Sequence, residues 1–167
     1  MLNLVKIYRK IDAAILRFEE TFVGTTLIFI SVMAFINVIM RYFFGDNLNW
    51  VEELARYLVV WITFIGGSLC VRSGEHVVMS MLLDRVAAEY KKILRLAINF
   101  LGAVVVLYLA YLGALYSLNT FQSGQISPIL NVSMGWAYLG IPVGCVLMAK
   151  NFMEIFIREI TEGGLTK

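Results

Sequence analysis

Four stretches of this chain are apolar and free of charge. Residues 21–40, 57–71, 96–116 and 134–149 contain no Asp, Glu, Lys, Arg or His. A helix that crosses the hydrocarbon core of a bilayer needs about 20 such residues. The first and third stretches fit. The second has only 15 uncharged residues, but Arg56 and Arg72 can extend it because long basic side chains snorkel to the interface. The fourth starts earlier than its charge-free core implies, near Leu130. The pattern predicts spans at about 21–41, 50–72, 94–116 and 130–150 in a four-span membrane domain over residues 21–149.

The flanking segments carry a different period. In residues 1–20, Leu4, Ile7, Ile11, Ile15 and Phe18 recur every three or four positions, while Lys6, Arg9, Lys10 and Arg17 fall largely elsewhere. This favours an amphipathic helix lying in the membrane interface over a mere extension of the first span. Residues 77–94 repeat the idea with Val78, Met81, Leu82, Val86, Tyr90 and Ile93. That segment reads equally well as an interfacial helix or as the extension of a neighbouring long one. Residues 117–133 are polar and uncharged, broken by Gly124 and Pro128, and read as a short external connection. Residues 150–167 read as a cytoplasmic tail.

Charge fixes the orientation of this plan. The five segments outside the spans hold four, two, five, zero and three Lys plus Arg in chain order. The alternation follows the positive-inside rule for an even number of spans. It predicts both termini in the cytoplasm, with residues 41–56 and 117–133 on the other side. The first span lacks a small-x-small exit and reads as retained rather than cleaved.

Composition agrees and removes several functions. Hydrophobic residues make up 60% of the chain and charged residues 16%, against roughly 45–50% and about 25% in soluble proteins. Between Leu96 and Ala149, 54 consecutive residues are uncharged. The net charge of +2 is spread along the chain and is no nucleic-acid footprint. His76 is the one histidine, and Cys70 and Cys145 lie in apolar runs without a C-x-x-C. Paired haem ligands, a multi-His metal cluster and a redox dithiol are thereby disfavoured. Acid–base catalysis lacks partners, so neither an enzyme nor a cofactor is expected.

Several residues stand out at the span boundaries. In Asn49-Trp50-Val51-Glu52-Glu53-Leu54-Ala55-Arg56, Asn49 is a good N-cap with Glu52 at the third helical position. Glu52 and Arg56 have the favourable order for an i, i+4 ion pair. The simplest reading is a helix start with a snorkelled Arg and an aromatic anchor at Trp50. Cation binding by Glu52 and Glu53, or contact with another membrane subunit, are the alternatives. Arg41 could reach the same acids. Arg72 and His76 flank Gly74 at the other end of span two, where His76 could titrate near neutral pH or serve as a hydrogen-bonded structural residue. Gly66, Gly67, Gly140 and Gly144 offer close helix approach, the last two as a G-x-x-x-G. Pro142 predicts a kink in span four. Asn37 and Asn99 are the amides deep in spans. No span carries charge near its middle, where ion and proton pathways are usually marked, and no pair of broken half-helices is visible.

Together, Arg41-Tyr42-Phe43, Trp50-x-Glu52-Glu53-Leu54-x-Arg56, Trp61, Gly66-Gly67, Arg72 and Glu75-His76 resemble the small membrane subunit of tripartite ATP-independent periplasmic (TRAP) transporters, the DctQ/SiaQ-like family. The motif resemblance covers roughly residues 37–80, and the four-span plan extends it. It implies an all-α protein of the bacterial inner membrane, paired with a large multi-span subunit and a periplasmic substrate-binding protein. The implied work is sodium-driven uptake of organic acids such as C4-dicarboxylates or sialic acid. The small subunit would brace the static part of its partner. Members often carry an acid a few positions after the histidine, where this chain has Ser80, so that acid's role is not carried over.

The expected function is therefore an accessory scaffold subunit. Arg41, Trp50, Glu52, Glu53, Arg56, Trp61, Arg72 and His76 would anchor it to lipid or partner. A self-assembling four-span channel or small exporter is the rival, and it would need a polar stripe along a span. A membrane enzyme or electron carrier would need paired histidines or reactive cysteines.

Overall fold

The structure is a computed structural model that describes residues 2–73 and 88–162. Nearly all of these are helical. Helix α1 runs Leu2–Ile39 and ends in a π-helical turn, Met40–Phe44, closed by Gly45 at a left-handed φ of 68°. Helix α2 is Asn49–Ser73 and α3 is Ala88–Gln122. A single-turn helix α4, Gly135–Tyr138, leads into α5, Gly140–Glu162. Among the described residues the sole β feature is an isolated bridge between Ile126 and Ser133. Among the described residues, four helical stretches are long and apolar enough to cross a membrane: Lys10–Phe44, Asn49–Ser73, Ile93–Gln122 and Gly135–Thr161.

The helices lie in a row. The extensive contacts run from α1 to α2, from α2 to α5, and from α5 to α3. Helices α2 and α5 are therefore central, and α1 and α3 are the flanks. In α3, Phe100, Leu101, Val104, Leu107, Tyr108, Tyr111 and Leu112 remain exposed, as an apolar flank in lipid can. Small residues carry many of the buried contacts, among them Ala103, Ala110, Ala137, Ala149, Cys145, Ser68 and Ser117, beside the larger Ile65, Val71 and Phe152. Lipid is as apolar as leucine, so close backbone approach takes the place of hydrophobic collapse. Gly144 shows this best. A Cβ there would stand 2.5 Å from Phe64 Cβ and 2.6 Å from the Phe64 carbonyl carbon. Beside it, the Trp61 ring lies 3.0 Å from where a Gly140 Cβ would sit. Gly67 faces the flexible end of Met148, and Gly66 only brushes Val23 at 4.0 Å.

Three element boundaries differ from the sequence expectations. No break separates residues 1–20 from the first span, because α1 is continuous through Ile39. Its amphipathic stretch leaves Ile7, Ile11 and Phe18 exposed while burying Glu19. The fourth membrane helix begins at Gly135, not near Leu130, because residues 125–134 fold back on themselves. The interruption expected from Pro142 falls at Leu139, between α4 and α5. Proline lacks the N–H that would bond the Tyr138 carbonyl, and its ring crowds that turn. At the other end, α5 continues well into the expected tail. Of the ambiguous segment 77–94, residues 88–94 belong to α3, and the rest lies outside the described residues.

Candidate functional site

Polar side chains gather at two places, one near each end of the helix row. At the end where α2 finishes, Asp12 of α1 is the hub. Its carboxylate takes a two-pronged contact from the Arg72 guanidinium, with Nη1 donating to Oδ1 at 2.9 Å. Lys150 of α5 donates to the same carboxylate and pairs with Glu154 at 3.2 Å. The Tyr8 hydroxyl donates to Glu154, and that bond to a carboxylate holds the phenol above its ordinary pKa. One helical turn or two further in, Ser68 donates to Glu19 Oε1 at 3.2 Å. Asn151 donates to the Ser68 carbonyl and hydroxyl at 3.0 and 2.9 Å. Helices α1, α2 and α5 are thus tied by one polar cluster. Arg95 of α3 reaches Glu159 of α5 at 3.8 Å.

The cluster's members are spaced for it. Asp12 and Glu19 are seven apart, two turns on one face of α1. Ser68 and Arg72 are four apart on α2, and Lys150, Asn151 and Glu154 share a face of α5. The Asp12 side chain is 16% exposed, Arg72 and Lys150 26% each. They are sheltered enough for charge-assisted hydrogen bonds to count.

At the opposite end the partners are backbone groups. Glu53 is buried on α2, and its Oε2 accepts the N–H groups of Ile129 and Leu130 at 3.2 and 3.1 Å. Leu130 N–H is shared with Ser127 Oγ at 3.1 Å, and Ser127 is itself buried. Tyr57 donates to the other carboxylate oxygen at 3.5 Å. The loop so held carries Asn131 at a φ of 52°, a left-handed conformation that asparagine tolerates better than most residues. Trp61 Nε1 donates to the Trp136 carbonyl at 3.1 Å, and Ser117 to the Gly135 carbonyl at 3.1 Å. Between α1 and α2, Asn37 Oδ1 accepts Leu48 N–H at 2.8 Å, and its amide donates to Glu52 at 3.4 Å.

The residues singled out from sequence divide into two groups. Glu53, Trp61 and Arg72 are engaged inside the chain. Arg41, Trp50, Glu52 and Arg56 stand on the surface at one end. His76 and Ser80 lie outside the described residues. The expected cap differs: Asn37 satisfies the backbone before α2, while Asn49 accepts a bond from the Asn47 amide at 2.6 Å. The Glu52–Arg56 pair does not form among the described residues; an exposed i, i+4 pair gains only about 0.3–0.5 kcal/mol, and Glu52 faces Asn37 instead. Sequence reasoning missed Asp12, Glu19, Ser68, Lys150, Asn151 and Glu154. The usable signal was the seven-residue spacing of Asp12 and Glu19 within a basic amphipathic stretch. No group of three or more His, Cys, Asp or Glu suited to a metal occurs among the described residues.

A row of four apolar helices, fastened to itself by polar contacts at both ends, defines a multi-pass membrane component. Comparison with known families is specific. Residues 30–162 match the family described as "Tripartite ATP-independent periplasmic transporters, DctQ component". The chain belongs to that family. It is a multi-pass protein of the inner membrane and a transporter component, not an enzyme. In such tripartite systems the small permease works with a large permease subunit and a periplasmic binding protein.

Individual relatives agree. The chain is 26% identical over 151 residues to the ectoine TRAP transporter small permease protein TeaB of Halomonas elongata, covering 90% of this chain and 78% of that one. It is 34% identical over 111 residues to the C4-dicarboxylate TRAP transporter small permease protein DctQ of Rhodobacter capsulatus. That match covers 66% of this chain and 49% of the relative, about half its length. The sialic acid TRAP transporter permease protein SiaT of Haemophilus influenzae is 28% identical over 140 residues, which are 83% of this chain but only 22% of SiaT.

Proposed function

We propose that this chain is the bracing subunit of its transporter: it carries no solute and holds the large permease in position. The observation behind this reading is where the polar groups go. Asp12, Arg72 and Lys150 pair with one another at one end, where Ser68 takes one oxygen of Glu19 and the other is buried without a partner among the described residues. Glu53 holds a loop at the other end. Between them the packing is mainly apolar side chains and glycine, with Thr26, Asn99 and Ser117 buried but nothing charged. A solute path through a membrane needs polar groups facing it. The charge alternation supports an orientation with both termini in the cytoplasm. The Glu53 end is then periplasmic. The surface residues Arg41, Trp50, Glu52 and Arg56 there suit contact with the large permease or the lipid interface.

The transported solute belongs to the organic acid class on this reading, taken up with sodium. The relatives' names carry three different solutes, ectoine, C4-dicarboxylate and sialic acid. Such spread fits a subunit that does not touch the cargo. Gentle affinity purification of the chain from native membrane tests the reading. Recovery of one large multi-span protein in equal amount is expected. A chain that purifies alone, and gives discrete conductance in a planar bilayer, would refute it.

A further inference from the structure

The loop that Glu53 holds has a surface unlike an ordinary water-facing connection. Ile126 is 61% exposed, Ile129 44% and Val132 43%. Pro128 is exposed beside them, and no charged residue occurs anywhere from Leu96 to Ala149. The tip therefore presents aliphatic side chains outward and nothing ionised.

Much of its backbone is paired from within. Ser127 N–H bonds the Val132 carbonyl at 2.9 Å, Asn131 N–H the Ser127 carbonyl at 3.1 Å, and Met134 N–H the Gln125 carbonyl at 3.0 Å. Ile129 and Leu130 N–H go to Glu53. A loop in water has no need of such accounting, because water serves the same groups. For a loop that leaves water, each group so paired removes a cost, since an unpaired backbone group is expensive in a poor solvent.

Aromatic residues fix the depth. Trp136 is 58% exposed one turn after the loop, Tyr116 is 54% exposed near the end of α3, and Trp50 is 39% exposed at the start of α2. Exposed Trp and Tyr at helix ends mark the headgroup level of a bilayer. The loop tip begins where that belt lies.

We infer that the tip of residues 126–132 sits in the boundary between headgroups and acyl chains of the leaflet at the Glu53 end, as a lipid-inserted anchor. Glu53 is its positioning residue: the carboxylate closes the backbone of the turn and so lets Ile126, Ile129 and Val132 face lipid. The occupant of this surface is phospholipid, because the patch is mainly aliphatic, carries no charge and adjoins exposed Trp136 in the chain.

Collision accessibility of a nitroxide tests this directly. The full chain carrying C70S and C145A is labelled at I126C, I129C or V132C in turn, and at D46C as a reference for water. Each is placed in vesicles of phosphatidylethanolamine and phosphatidylglycerol. At the three loop positions, relaxation by oxygen should exceed that by a water-soluble nickel complex several-fold, with the reverse at position 46. In an E53Q background the nickel signal at position 129 should rise several-fold. Nickel dominance at all three loop positions would overturn the inference, since the tip would then lie in water. Shielding from both reagents would overturn it too, since protein would then cover the tip. Should the cysteine-free background fail to fold, I129W in the native chain provides the same readout. Its added fluorescence should be quenched by lipid brominated near the headgroup, and absence of quenching contradicts the proposal.

Discussion

The two ends of the helix row solve one problem with different chemistry. At the Asp12 end, side chains from three helices pair with one another across long sequence distances: Tyr8 with Glu154, Asp12 with Arg72 and Lys150. At the Glu53 end, a single carboxylate is held by two backbone N–H groups of one loop. The first arrangement ties helices together, so its loss loosens the assembly of α1, α2 and α5. The second shapes one segment, so its loss stays local. Polar groups near a membrane can thus act as rivets or as a template. Which they become depends on whether their partners are distant side chains or neighbouring amides.

Substitution can break this comparison at either end. The largest effect should follow D12N, which leaves Arg72 without its carboxylate and Lys150 with Glu154 alone. Removing one partner of a sheltered ion pair costs about 3–5 kcal/mol when burial is complete. With Arg72 and Lys150 each 26% exposed, about 2–3 kcal/mol is expected by the same principle, read as a lower midpoint of thermal unfolding in detergent. An unchanged midpoint would show that the cluster is not a rivet.

Between the two ends, G144A tests the packing that makes the row. The added methyl meets Phe64 backbone atoms at 2.6 and 2.7 Å, so α2 and α5 must separate. Overpacking of this kind costs about 1–3 kcal/mol. The expected sign is a smaller rise than D12N in the rate of subunit-internal proteolysis, with intact ion pairs. A neutral G144A would mean that α2 and α5 are not held as closely as described.

E53Q should act more weakly and in one place. It weakens two charge-assisted bonds, about 1–2 kcal/mol together in a sheltered site. Amide hydrogen exchange at Ile129 and Leu130 should quicken about tenfold, the rate equivalent of about 1.4 kcal/mol, while exchange in α1 stays unchanged. Faster exchange throughout would turn the template into a second rivet. The smallest effect on stability belongs to R56A, within about 0.5 kcal/mol, as for surface positions without ordered partners. Recovery of the large permease with the R56A chain should nevertheless fall if that surface touches it.

Much of this architecture is legible in the chain, and for a physical reason. Charge-free runs long enough to cross a bilayer can do little else, so the four membrane helices and the alternation of Lys and Arg were both readable. The boundary motif around Trp50, Glu52 and Glu53 was visible too, but its two acids do different things. Glu53 turns inward to a loop 76 positions away, and nothing near it in sequence announces that. The ion cluster was hidden by a reasonable rule. Asp12, Glu19 and Lys150 lie outside the charge-free runs, and that rule assigns them to an interfacial helix and a tail. The helices run on past those limits, and Asp12 meets Lys150 across 138 positions. Pairing over such distances leaves no local pattern. Asn37 was legible as a buried amide, whereas its role in holding Leu48 was not, since Asn49 offered a more familiar cap.

Solute uptake into vesicles tests the central claim most directly, with the large permease and the binding protein each supplied with or without this chain. Vesicles holding this chain alone should accumulate nothing, and full uptake should require all three proteins. Uptake by this chain alone, or full uptake in its absence, would contradict the account.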